Sequence, residues 1–248
     1  MKVYLLASGT MLIDRSQLLW NVDCGVRLRF PIYGVLIDHP EGLFLFDTGY
    51  DLAHVQRVFA IEEPIQAPGE TVAEQVTLCG YRPENVKFIL NSHLHFDHVG
   101  ANRHFPRATT LVHKQELRQA KVPESFERYA YSDQSFDHPN VRYELLEGDT
   151  EIARGLRVFE TPGHTVGHYS LLVEMTSRPP MLFTGDAAYS MESIEREIIS
   201  GFHNEPTAGV RSIKRLRKLA KHYEAELFVP HDMEAYQGYR RAPESYDG

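Results

Sequence analysis

Between His93 and His98 the chain sets three histidines and an aspartate within six residues, directly after the apolar run Val86 to Leu90, in "NVKFILNSHLHFDHVG". Packing does not explain that density. Imidazoles and carboxylates are costly to bury unless each finds a partner, and without an ion several of these would be left unpaired. In a loop, His-x-His turns two imidazoles to the same side of the chain. The Asp-His pair two residues on adds a carboxylate and a third imidazole. Neutral imidazole and carboxylate are the ligands of zinc and similar divalent ions. One loop rarely surrounds a single tetrahedral ion with four ligands, so the simpler reading is two metals sharing the cluster.

Two metals need further ligands, also at strand ends. "TPGHTVGH" places His164 in a glycine-punctuated turn, "LFTGDAAY" places Asp186 after an apolar strand, and "LFVPHD" places His231 after another. With His93, His95, Asp97 and His98 they make five histidines and two aspartates. The isolated histidines at 39, 54, 104, 113, 138, 203 and 222 read as surface or satisfied residues, and His168 as structural. Asp47, ending the strand in "FDTG", reads as a carboxylate supporting the site from behind.

The rest of the chain supplies a scaffold. The first fifty residues read as strands, with "FPIYGVLIDH" and "LFLFDTG" forming a hairpin around "PEG". "TVAEQVTLCGY" has Val72, Val76 and Cys79 at helical spacing. "NVKFILN", "TTLVH", "LRVFETPG", "YSLLVEM", "PMLFTGD" and "ELFVPHD" read as strands, and residues 114–121 as a helix. "AGVRSIKRLRKLAKHYEA" carries one apolar stripe, Val210, Ile213, Leu216, Leu219, Ala220 and Tyr223. The basic residues between them, from Arg211 to Lys221, read as a solvated face. Residues 121–140 lack a clean period and read as a surface excursion. Trp20, in "QLLWNV", either folds over the site or belongs to the core. Strands, then strands with helices, twice over, predict two sheets packed face to face with helices outside, as a single domain over 1–248.

Charge and composition bound the function. The formal charge of −8 argues against a nucleic-acid partner held by phosphate contacts. No apolar run reaches the ~20 residues of a membrane span, and the apolar patch in "MKVYLLASG" is too short for a signal peptide. The two cysteines, Cys24 and Cys79, lie outside any CxxC. They read as small core residues in a reducing compartment, the cytoplasm. Oligomeric state is not readable.

The order "HLHFDH", His164, Asp186, His231 resembles the metallo-β-lactamase superfamily, over nearly the whole chain. "FDTG" and "GYRPENVKFIL" are similar too; Ala101 departs where many members have a second glycine. The resemblance implies an αββα sandwich (α/β, two mixed sheets) with a dinuclear centre at one edge. It implies that His93, His95 and His164 hold one ion, Asp97, His98 and His231 the other, and that Asp186 bridges. The ions are expected to be zinc, with manganese, iron and cobalt also suited to these donors. The β-lactamases proper carry cysteine where Asp186 stands. The helical domain of glyoxalase II, the flavin domain of flavodiiron proteins and the basic arm of the tRNA-processing members have no counterpart here.

Tyr189 in "GDAAY" and the ending "HDMEAYQGYRRAPESY" resemble the N-acyl-homoserine lactonase group. "FDTGYDLAHV", "EEPIQ" and "FERYAYSDQSF" are similar to a small group of 4-pyridoxolactonases of vitamin B6 degradation. The activity this implies is a hydrolase that opens a lactone ring by attack of a hydroxide shared by two metals. Tyr189 would stabilise the developing oxyanion and Asp97 would carry the proton. The expected substrate is 4-pyridoxolactone or a similar compact lactone; the alternative is an N-acyl-homoserine lactone, a quorum-quenching activity. Two rivals of other kinds share the fold: an ester or thioester hydrolase, and a mononuclear iron dioxygenase acting on persulfides. The latter has no need of Asp97, His98 and His231.

Overall fold

A computed structural model describes residues 1–248. Alternation dictates its first sheet. In β1 (Lys2–Asp14), Val3 and Leu5 point one way and Tyr4 and Leu6 the other, and all four are buried. A strand buried on both faces must lie between two layers. β1 pairs antiparallel with β2 (Arg27–His39), which pairs antiparallel with β3 (Gly42–Phe46). The sheet continues in parallel through β4 (Val86–Leu90), β5 (Thr109–His113) and β6 (Tyr143–Leu146). The short C-terminal strand Tyr246–Asp247 pairs with the free edge of β1.

The second sheet runs β7 (Thr150–Ala153), β8 (Leu156–Glu160), β9 (Tyr169–Val173), β10 (Met181–Phe183) and β11 (Glu226–Phe228). It is antiparallel except for the β10–β11 pair. The two sheets meet through one apolar layer. Val35, Phe44, Phe46 and Leu90 from the first pack with Val158, Leu171, Phe183 and Phe228 from the second.

Helices cover the outer faces. Val72–Leu78 lays Val72 and Val76 on Leu36, Leu45 and Ile89, and starts with a capping box between Thr71 and Glu74. The long helix Pro206–Tyr223 puts its stripe, led by Ile213 and Leu216, on Leu172 and Leu182. Arg211, Lys214, Arg217, Lys218 and Lys221 are exposed, and Lys214 and Arg217 both pair with Glu197. The result is the expected αββα sandwich with two mixed sheets. No helix is long and apolar enough to cross a membrane.

Two expectations change. Cys24 is exposed and Cys79 half-buried. Cys24 lies in a turn with positive φ at Asn21, Asp23 and Gly25, where no sheet or helix covers it. Residues 121–140 are also more than a surface excursion. They form two short helical turns, Arg128–Ala130 and Asp133–Phe136, which bury Tyr131 and Phe136 against Leu94 and Val99 beside the histidine loop. The absence of a period reflects short turns anchored by single aromatic residues.

Candidate metal centre

Every predicted ligand sits just beyond the C-terminal end of a strand, at one edge of the sandwich. β4 leads into His93, His95, Asp97 and His98; β8 into His164; β10 into Asp186; β11 into His231. Glycine lets two of these turns close. A Cβ on Gly163 (φ +134°) would lie 2.2 Å from the Gly209 nitrogen of the long helix. One on Gly185 (φ +51°) would lie 2.7 Å from His168 Nε2.

The seven side chains converge as two groups, His93, His95 and His164, and Asp97, His98, Asp186 and His231. In the first, His164 Nε2 lies 3.1 Å from His93 Nε2 and 3.0 Å from His95 Nδ1. Asp186 spans both groups. Its Oδ2 is 3.4 Å from His164 Nε2 and 3.8 Å from His93 Nε2. Its Oδ1 is 3.1 Å from His98 Nε2 and 3.2 Å from His231 Nε2. Asp97 Oδ2 completes the second group, 3.6 Å from His98 Nε2 and 3.8 Å from His231 Nε2.

Chemistry tests whether cations fit there. His98 Nε2 and Asp186 Oδ1 are fully enclosed yet make no hydrogen bond. Three imidazole nitrogens of the first group crowd together, turned in on one another. Burial, with the neighbouring histidines adding to it, holds His93 well below the usual histidine range, which keeps its lone pair free. Buried, convergent and unpaired donors of this type suit two divalent cations.

Four of the five outward nitrogens are anchored, all but His95 Nε2. His98 Nδ1 donates to Asp47 Oδ2 at 2.8 Å. His93 Nδ1 meets Ser92 Oγ at 2.9 Å, and that hydroxyl donates to Asp47 at 2.7 Å. His164 Nδ1 donates to the Phe202 carbonyl (2.7 Å) and His231 Nδ1 to the Pro31 carbonyl (3.1 Å). Such bonds fix tautomer and ring orientation. Asp47 therefore stands where the sequence put it, behind the site. His168 accepts from the Asp186 amide at 2.8 Å and meets Thr161 Oγ1 at 2.9 Å. Burial pushes its imidazole down to about 3, which keeps it neutral and able to accept.

Two carboxylates near the centre escaped sequence reasoning. Glu116 is fully buried and accepts from the Leu94 amide (3.0 Å) and the Gly167 amide (3.2 Å). It ties the histidine loop to the His164 turn, but in "KQELRQA" it looks like any helix-surface glutamate. Glu62 lines the recess that opens onto the centre; in "EEPIQ" nothing separates it from Glu63.

That recess is narrow, with about 40 Å³ of cavity volume. His95, Asp97, Tyr189 and His231 form its inner wall, and Ile13, Phe30, Phe96, Tyr129 and Phe202 most of the remainder. Tyr189 is buried with its ring edge-on to His231 (4.8 Å between centroids) and beside His164 (5.7 Å). Burial, reinforced by the Asp186 and Asp97 carboxylates, raises its phenol well above the usual tyrosine range, so it stays a proton donor. A more open groove, lined by Gln17, Phe126, His203 and Asn204, reaches the centre from the other side of Tyr129 and Phe202. Trp20 is 44% exposed and packs edge-on to His203, 4.5 Å away. It thus stands at the rim of that groove and not in the core.

The metallo-beta-lactamase superfamily model matches residues 28–232, a span that holds all seven convergent residues and Tyr189. The chain belongs to that superfamily. An N-acyl homoserine lactonase, AttM, of Rhizobium radiobacter is 31% identical to it, with 99% of this chain and 98% of the relative covered. An N-acyl homoserine lactonase of a Bacillus species is 32% identical, with 98% of each covered. Among solved structures, an N-acyl homoserine lactone hydrolase with the product N-hexanoyl-L-homoserine bound at its catalytic metal center superposes with a TM-score of 0.88. That match has 30% identity and covers 99% of this chain and 98% of the other.

Proposed function

We propose that residues 1–248 form one dinuclear-metal lactonase whose substrates are N-acyl homoserine lactones. The observation that carries the reading is Asp186, which offers one oxygen to each donor group beside a buried, protonated Tyr189. His93, His95 and His164 would hold one cation and Asp97, His98 and His231 the other, with Asp186 facing both. Zinc suits this donor set, as do manganese, iron and cobalt. Two bound cations supply a water of lowered pKa and an electrophile for the lactone carbonyl.

The protein's own groups do the rest. Tyr189 donates a hydrogen bond to the carbonyl oxygen as it gains charge. Asp97, at the inner wall of the recess, carries the proton to the departing ring oxygen. Asp47, His168 and Glu116 hold the donors in place. The product is a ring-opened hydroxy acid. A mononuclear oxygenase would have no use for Asp97, His98 and His231, which converge with Asp186.

The relatives favour acyl-homoserine lactones over 4-pyridoxolactone. One observation supports the compact lactone as a second reading. The recess is walled by aromatic rings, with Tyr129 and Phe202 between it and the open groove. The test is kcat/KM for acyl-homoserine lactones of increasing chain length beside 4-pyridoxolactone. A rise with chain length supports the first reading. Turnover of 4-pyridoxolactone with inert acyl-homoserine lactones supports the second. Failure to open any lactone, with two metals bound, overturns both.

A further inference from the structure

Adjacent glutamates have opposite surroundings where the turn Ala60–Glu62 meets the recess. Glu63 is exposed and takes both nearby cations, Arg27 at 3.0 Å and Arg29 at 4.0 Å. Glu62 is half-buried, lines the recess and makes no ion pair or side-chain hydrogen bond. Around it the wall is mostly apolar: Met11, Ile13, Phe30, Phe96 and Phe202. Across it stand Asp97 and His231, the second of the two donor groups.

The Glu62 carboxyl has no partner within the protein and is met only by solvent at the mouth of the recess. The group is therefore poised to gain from any donor that enters. A lactone whose carbonyl faces Tyr189 would bring its ring substituent into the same small space.

We infer that Glu62 is a specificity-determining residue, the acceptor for an N–H or O–H donor carried beside the lactone ring. The proposal rests on the lactonase reading and deepens it. The substrate class is a lactone with such a donor, as in the amide N–H of an acyl-homoserine lactone, and simple alkyl lactones are disfavoured. A site built around a polar partner rejects an analogue that lacks it, because the protein group is then left unpaired.

The experiment compares N-hexanoyl-homoserine lactone with α-hexyl-γ-butyrolactone, which has the same ring and an alkyl tail at the same carbon but no donor. Wild-type protein, Glu62→Gln and Glu62→Leu are assayed with metal content and melting temperature checked. Wild type should prefer the amide lactone. Glu62→Leu should narrow the kcat/KM ratio about tenfold or more, the usual worth of a hydrogen bond to a charged group. Glu62→Gln, which keeps an acceptor, should narrow it less. Inhibition by the unreactive lactam carrying the same amide should weaken in parallel, as a readout of binding alone. An unchanged ratio in Glu62→Leu, with lactone opening intact, overturns the role of Glu62 and leaves the lactonase reading standing. If metal-loaded wild type opens neither lactone, the lactonase reading falls and takes this inference with it.

Discussion

The donor cluster and the recess above it share His95, Asp97 and His231, yet they are built by different rules. In the cluster, the outward nitrogens of His93, His98, His164 and His231 are all anchored to a carboxylate, hydroxyl or carbonyl. Its residues follow directly on strands β4, β8, β10 and β11. The rest of the recess wall comes from other parts of the chain: Met11 and Ile13 of β1, Phe30 of β2, the turn at Ala60–Glu62, the short helical turn Arg128–Ala130 and the loop around Phe202. The cluster is polar, buried and over-determined, whereas the wall is apolar and held by few hydrogen bonds. Strand ends position the chemistry, and inserted turns share with β1 and β2 in choosing what reaches it.

The harshest way to break this contrast is to remove the residue common to both donor groups. Asp186→Ala deletes both bridging oxygens at once. Metal content should fall from about two ions per chain, and affinity should drop by more than the ~10–100-fold of a lost supporting residue. Turnover should fall with it, and so should the melting temperature, because bound metal stabilises the folded state. Elemental analysis and thermal unfolding measure both. A variant that kept two ions and wild-type turnover would end the idea of a shared bridge.

A milder test probes the anchoring. Asp47→Asn weakens the carboxylate that receives His98 and Ser92, and His168→Ala removes the acceptor for the Asp186 amide. Each should cost ~10–100-fold in metal affinity or activity. Titration with a competing chelator would show it. Unchanged affinity in both would mean that the strand ends alone position the donors.

Those two supports show what the sequence could and could not reveal. The seven donors were legible because each is a chemically distinctive residue in a repeated context, strand then turn then ligand. Asp47 shared that context and was placed correctly. His168 was read as structural, but its hold on Asp186 depends on two turns meeting in space. Glu116 was invisible, since a glutamate in an eight-residue helix normally faces water; only the fold brings Leu94 and Gly167 to it. The sheets were legible from apolar runs bounded by turn residues, and the long helix from a period of 3.6. The recess was not, because its wall joins residues of β1 and β2 to single side chains on turns without a period, and only the fold brings them together.

Tyr189 stands between the two regions, edge-on to His231 and lining the recess. Tyr189→Phe removes one hydroxyl and leaves the ring packing. Both metals should stay, and kcat should fall tens-fold, about 2–3 kcal/mol by comparison with other lost oxyanion donors. Loss of metal in this variant would reassign Tyr189 from the substrate to the cluster. Wild-type turnover would remove it from the reaction.

The smallest effect is expected at the outer wall, and it sharpens the contrast most. The Phe202 side chain lines both the recess and the open groove, and its ring lies 6.0 Å from that of Tyr129. These two rings form the partition. The Phe202 carbonyl anchors His164, but that contact belongs to the backbone and survives a side-chain change. Phe202→Ala should therefore leave metal content and the rate on the shortest acyl-homoserine lactone within a few-fold. It should join recess and groove and give longer tails an apolar path. Each methylene newly buried is worth about 0.8 kcal/mol, or roughly fourfold. The ratio of kcat/KM for decanoyl over butanoyl substrates should rise a few-fold to tenfold. A ratio that does not move would mean the tail leaves the centre by another route. A loss of metal would mean that the wall and the cluster are not separable after all.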